Sequence, residues 1–201
     1  MKKLLALSYK GSRQYIQGGD IFNALTDSSS EITNQAEVFI NRLVFRRYAR
    51  HACELTTERP ENMETVVGQV RFRSLSDGTL IDGWVVEKAI PVSDRQVFDE
   101  SLLLAAATLD QEGRSASLAD RSMYTPIEDV IALTKYLNCS VSPQVRGNWI
   151  FGQVDLIEPL SDNYRSLKIQ MKSLIVDKFS VNDILLDGRQ IGAIRFIVGT
   201  P

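Results

Sequence analysis

Histidine and cysteine are nearly missing from this 201-residue chain, which has one histidine, His51, and two cysteines, Cys53 and Cys139. So few residues form neither a metal-ligand spacing nor a disulfide framework, and no metal and no cofactor are expected. An excess of charge of one sign is missing too. The formal net charge of -2 gives no general attraction to nucleic acid or to an anionic membrane surface. Apolar runs are short, and none approaches the roughly 18 residues of a membrane span. Met1-Lys2-Lys3-Leu4-Leu5-Ala6-Leu7 imitates a secretory signal, but its apolar run stops at Ser8-Tyr9-Lys10, short of the roughly 7 to 15 apolar residues required. It reads as a first strand, and the chain as a cytoplasmic one.

What is present is an ordinary globular composition, 44% hydrophobic and 24% charged, in a chain long enough to bury roughly 70% of its unfolded surface. It also contains a repeat. Arg13-Gln14-Tyr15-Ile16-Gln17-Gly18-Gly19-Asp20-Ile21-Phe22-Asn23-Ala24-Leu25 aligns, with one inserted residue, on Arg121-Ser122-Met123-Tyr124-Thr125-Pro126-Ile127-Glu128-Asp129-Val130-Ile131-Ala132-Leu133. Asp77-Gly78-Thr79-Leu80-Ile81 matches Asp187-Gly188-Arg189-Gln190-Ile191 at a similar offset, and between them Leu43–Ala49 falls where Val154–Leu160 does. Three matches in one order indicate two diverged copies of one unit, over 1–98 and 99–201.

Local signals assign the elements. Thr125 before Pro126 caps a helix expected to run to about Asn138, with Glu128 and Asp129 favourably placed in its positive first turn. Gly18-Gly19-Asp20 opens a shorter helix ending near Thr26, with Asp27-Ser28-Ser29-Ser30 as a loop. Strands are expected at Val66–Arg73, Leu80–Ala89, Ile150–Ile157, Leu167–Val176 and Gln190–Val198, and the two Asp-Gly pairs mark hairpin turns. Ala36–Leu55 fits a helical stripe slightly better by periodicity, but its repeat partner contains Gly152 and Pro159, and strand is the reading adopted.

Phe45-Arg46-Arg47-Tyr48-Ala49, with Glu54-Leu55-Thr56 close behind, resembles a strand of the hotdog-fold superfamily, in which a curved antiparallel sheet wraps a helix. The resemblance implies an α+β double hotdog, two tandem units each with a helix packed on a curved antiparallel sheet. It also implies a ligand: an acyl group carried as a thioester on coenzyme A or acyl carrier protein, in fatty-acid, polyketide or other secondary metabolism. The chain is similar to the beta-hydroxyacyl carrier protein dehydratases and to acyl thioesterases of that superfamily. Aligning Gly18 with the dehydratase helix-start glycine puts Asn23 where those enzymes carry a catalytic Glu, and Tyr9-Lys10-Gly11-Ser12-Arg13 replaces their histidine loop. An amide cannot pass the proton that a carboxylate passes in dehydration.

Within that frame the candidate catalytic groups are Asp20, Glu128 and Asp129, to activate water or orient a thioester carbonyl, and Asn23, to polarise its oxygen. Each has a plainer reading: the acids complement helix N-termini, and Asn23 is a structural amide. Arg13 and Arg121 suit the phosphates of a coenzyme or pantetheine arm, and Gly18 and Gly19 expose amides at a helix start. Packing explains the arginines, and a simple turn the glycines, about as well. Arg42, Arg46 and Arg50 would share a strand face able to dock an acidic carrier protein, or be a solvated face. Trp84 and Trp149 are expected to pack sheet against helix, and His51 to be a strand residue or a general acid-base. No nucleic-acid or membrane partner is expected, and the chain reads as a monomer or homodimer. Hydrolase- or lyase-like chemistry and a non-catalytic acyl-binding module both remain open.

Overall fold

The computed structural model describes residues 1–199, and the chain divides into two units, Met1–Phe98 and Asp99–Pro201. Thr200 and Pro201, the end of the 99–201 unit expected from the sequence, lie outside the described residues. The first unit contains β1 (Lys2–Leu4), β2 (Tyr9–Lys10), α1 (Gly18–Thr33), β3 (Val38–Phe45), β4 (His51–Thr56), β5 (Val66–Ser74), β6 (Leu80–Pro91) and β7 (Arg95–Gln96). The second contains α2 (Glu100–Ala105), β8 (Thr108–Asp110), β9 (Ser115–Leu118), α3 (Pro126–Val141), β10 (Asn148–Leu156), β11 (Leu167–Ile175), β12 (Phe179–Leu186) and β13 (Arg189–Gly199).

The helix α1 does not stop near Thr26, and the serine-rich segment is not a loop. Of the hydroxyls that suggested one, that of Ser29 is absorbed inside the helix, where Thr26, Ser29 and Thr33 donate to the carbonyls of Phe22, Thr26 and Ser29 at 3.0, 2.7 and 2.7 Å. Back-bonded this way, a hydroxyl no longer competes with the helical ladder. Burial of Ile21, Phe22, Leu25 and Ile32 then supplies the driving force, at about 1.5–3 kcal/mol for each fully buried side chain. Asn34, at φ 54°, ends the helix in the left-handed conformation. The helix α3 starts at Pro126 as expected and runs three residues past Asn138.

Ala36–Leu55 is extended, but as two strands rather than one. The break has a visible cause. Glu87 on β6 accepts the backbone N–H groups of Arg50 and His51 at 2.6 and 2.8 Å and the Arg47 guanidinium at 2.5 Å. Burial by itself lifts the Glu87 pKa, but these donors outweigh it and hold the carboxyl below its ordinary value. The chain pinned there turns between β3 and β4. Of the three arginines expected on one strand face, only Arg42 lies in a strand; Arg46 and Arg50 sit in this turn, exposed.

Each unit's main sheet is antiparallel. Strand order is β1-β4-β6-β5-β3 in the first unit and β10-β13-β12-β11-β9-β8 in the second. After each long helix come four strands, and the last two exchange places between the units. The connections account for it. The strand β11 turns into β12 through Val176, Asp177 and Lys178, with Asp177 at φ 58°, so the two must be hairpin neighbours. Residues 57–65 between β4 and β5, containing a 3-10 turn at Met63–Thr65, are long enough to bring β5 back in the same direction as β4, and β6 fills the gap between them. The two Asp-Gly turns are as expected, with Gly78 at φ 73° and Asp187 and Gly188 at φ 51° and 79°.

Candidate functional site

In α3 the Thr125-Pro126 start sets the geometry. Glu128 reaches back to accept the Thr125 backbone N–H and hydroxyl at 2.9 and 2.7 Å, closing the first turn as a capping box. Asp129, one residue on, is rotated into the core and has no exposed surface. Its carboxylate accepts the Ser122 hydroxyl, the Tyr164 hydroxyl at 2.5 Å and, at 3.4 Å, the Ser122 backbone N–H. Burial raises the Asp129 pKa and outweighs these donors, which lower it. Burial likewise raises the Tyr164 pKa, reinforced by its bond to Asp129. Ser122 is itself fixed, its oxygen accepting the Tyr124 N–H at 2.9 Å. The result is a fully buried carboxyl with a raised pKa, held by two hydroxyls.

The helix α1 is built differently. Asp20 forms an ion pair with Lys10 at 2.5 Å, and both side chains are largely buried, at 12% and 7% exposure. The Lys10 ammonium lies 4.8 Å from the centre of the Phe98 ring, a cation–π contact that offsets part of its lost hydration. Asn23 is half-buried one turn after Asp20. Gly18 and Gly19 form the first turn, which has no side-chain cap. Arg13 lies in the turn after β2, its carbonyl accepting from Arg95 at 3.0 Å.

Counted from the first helical residue, Asp20 is third in α1 and Glu128 is third in α3. Asp129 is fourth, and its counterpart is the buried Ile21. Asp20 and Asp129 are therefore not equivalent: one step along a helix turns a side chain by about 100°, and the second unit has placed a carboxyl where the first has an isobutyl-sized hydrocarbon. Arg121 is exposed and engaged by Asp162 at 3.3 Å. His51 is an exposed strand residue whose Nδ1 lies 3.2 Å from Glu87. Among the described residues no cluster of His, Cys, Asp or Glu is arranged to hold a metal ion, and no helix is long and apolar enough to cross a membrane.

Sequence reasoning missed Lys10, Ser122 and Tyr164. Lys10 lies in the segment that stands in for the dehydratase histidine loop, and Ser122 within the repeat anchor, so both had a positional signal. Tyr164 had none, being 35 residues from its partner.

No family model matches the chain, and no curated protein does. Solved structures do. The dehydratase domain of PpsC from Mycobacterium tuberculosis, in complex with C12:1-CoA, is 12% identical, with a TM-score of 0.51 over 98% of this chain and 92% of that one. The tesB protein MAP1729c of Mycobacterium avium subs paratuberculosis is 13% identical, with a TM-score of 0.51 over 100% and 92%. A protein assigned as a thioesterase II from Thermobifida fusca YX is 14% identical, with a TM-score of 0.50 over 98% and 91%. At these identities the likeness is one of fold. This sheet-dominated α+β chain shares its fold with those structures.

Proposed function

We propose that the chain is a double hotdog protein, with one hotdog over 1–98 and the other over 99–201, and that it binds an acyl group carried as a thioester on coenzyme A or acyl carrier protein. The fold it shares with a C12:1-CoA complex supports the ligand class. One observation favours binding over turnover: every candidate acid is engaged by protein groups, Asp20 by Lys10, Glu128 by Thr125, and Asp129 by Ser122 and Tyr164. A carboxyl without exposed surface does not activate water from solvent. Gly18, Gly19, Arg13 and Arg121 are the groups suited to the pantetheine arm and its phosphates, and the exposed Arg42, Arg46 and Arg50 to an acidic carrier.

The raised pKa of Asp129 favours a second reading, in which this carboxyl acts as an acid on a thioester carbonyl once a ligand opens its pocket. A panel of acyl-coenzyme A thioesters of graded length, assayed for binding and for thiol release or dehydration, separates the two. Binding without turnover, unchanged in Asp129→Asn, is the expected result. Turnover abolished by Asp129→Asn in a folded protein assigns the chemistry to Asp129. Failure of every thioester to bind removes the ligand class itself.

A further inference from the structure

Residues 121–123, just before α3, join the surface to the buried carboxyl of Asp129. Arg121 and Met123 are exposed, Met123 at 79%, and Ser122 between them is half-buried. The two carboxylate oxygens are divided between different donors. Oδ2 accepts the Tyr164 hydroxyl at 2.5 Å and the Ser122 backbone N–H at 3.4 Å, whereas Oδ1 accepts the Ser122 hydroxyl. The Ser122 proton is thus already aimed at an acceptor. Its oxygen is held as well. Of the two lone pairs of a hydroxyl oxygen, one accepts the Tyr124 N–H at 2.9 Å, and the other, without a protein partner among the described residues, is left for an electrophile.

Two further observations separate this pair from an ordinary contact at a helix start. The first is the repeat. In the first unit Gln14 aligns with Ser122 and Ile21 takes the place of Asp129, so hydroxyl and carboxyl occur together in one copy and are both missing from the other. The second is that α3 does not need Asp129 as a cap. Its first turn is already closed by Thr125 and Glu128, yet a carboxyl is buried beside it at a cost in hydration. Burial raises the Asp129 pKa, which makes the carboxylate a stronger proton acceptor than one in water. A serine whose hydroxyl donates to such a base has the arrangement of an activated nucleophile.

We infer that Ser122 is an acyl acceptor, which takes the acyl group of a thioester as an oxygen ester, an inference that rests on the acyl-binding reading above. Ser122 Oγ forms a bond to the carbonyl carbon, and the carbon–sulfur bond breaks. The hydroxyl proton passes to Asp129 Oδ1 and from there to the departing sulfur, so that a free thiol leaves and the carboxylate is regenerated. Tyr164 is a positioning residue that holds the other carboxylate oxygen. The ester then stays, because Asp129 has no exposed surface from which to deliver water. The acyl group is kept covalently, which is binding without turnover.

Intact-mass spectrometry of the full chain after incubation with dodecanoyl-coenzyme A, with released thiol measured in parallel, tests this. One dodecanoyl group per chain is expected, placed on Ser122 by peptide fragmentation, with one equivalent of thiol released and no more. Ser122→Ala should abolish the adduct, and Asp129→Asn should slow its formation by about a hundredfold or more. Calorimetric binding of the thioester without any adduct overturns the acceptor and leaves the acyl-binding reading intact. So does an adduct on another residue, such as the exposed Cys139, or one that forms at the wild-type rate in folded Asp129→Asn. Thiol release that continues beyond one equivalent overturns the retained ester. Absence of both binding and adduct overturns both readings. The position of the adduct in the wild-type chain decides even where a variant fails to fold.

Discussion

At the start of its long helix the first unit pairs a buried aspartate, Asp20, with a lysine, whereas the second surrounds Asp129 with the hydroxyls of Ser122 and Tyr164. The first arrangement sets an opposite charge against the carboxyl; in the second, burial raises the carboxyl's pKa. A carboxyl at the third helical position can meet a side chain from a neighbouring strand, but one at the fourth is turned into the core and must be satisfied there. The copies have therefore diverged at their helix starts in the partner given to the carboxyl as well as in sequence.

The largest effect is expected at the ion pair. Lys10→Met leaves Asp20 without its cation and should cost about 3–5 kcal/mol in urea unfolding, whereas Lys10→Met combined with Asp20→Leu should recover most of that loss. Equal destabilisation in the single and double variants would remove the distinction between the two helix starts. Removing one hydroxyl from the other site is a smaller change: Tyr164→Phe should cost about 1–3 kcal/mol by the same measurement.

The pH dependence of stability is the most delicate comparison. Because the folded-state pKa of Asp129 is raised above its ordinary 3.8, the native state holds that proton more tightly than the unfolded chain does. This contribution is complete below the ordinary value and is lost as pH rises through the raised one. Glu87 in the first unit has the opposite sign, its depressed pKa giving stability that is lost as pH falls. Unfolding followed from pH 3 to pH 8 should show Asp129→Asn flattening only the decline on the alkaline side of that window, and Glu87→Gln only the acid loss. An unchanged profile in Asp129→Asn would mean that folding does not raise the pKa of Asp129.

Much of this architecture was legible locally. The start of α3 follows from Thr125-Pro126 and the two hairpins from Asp-Gly, because caps and turns are made by neighbours in sequence. The length of α1 was not, since whether Ser28 and Ser29 form a loop or a helix depends on burial that only the folded unit supplies. Nor was the exchange of the last two strands visible in a repeat whose anchors line up in the same order; it follows from the connections, three residues in one unit and nine in the other. The site was half legible. Asp20 and Asp129 stood out as acids at helix starts, but their unequal roles depend on a one-residue difference in helical position. Of their partners, Lys10 lies ten residues from Asp20 in a segment that carried a signal, whereas Tyr164 is supplied by chain 35 residues from Asp129.

Native mass spectrometry of the intact chain titrated with dodecanoyl-coenzyme A tests the inequality of the two units most directly. The account predicts one thioester per chain, with the complex surviving Lys10→Met combined with Asp20→Leu. Two thioesters per chain, or none, would contradict it.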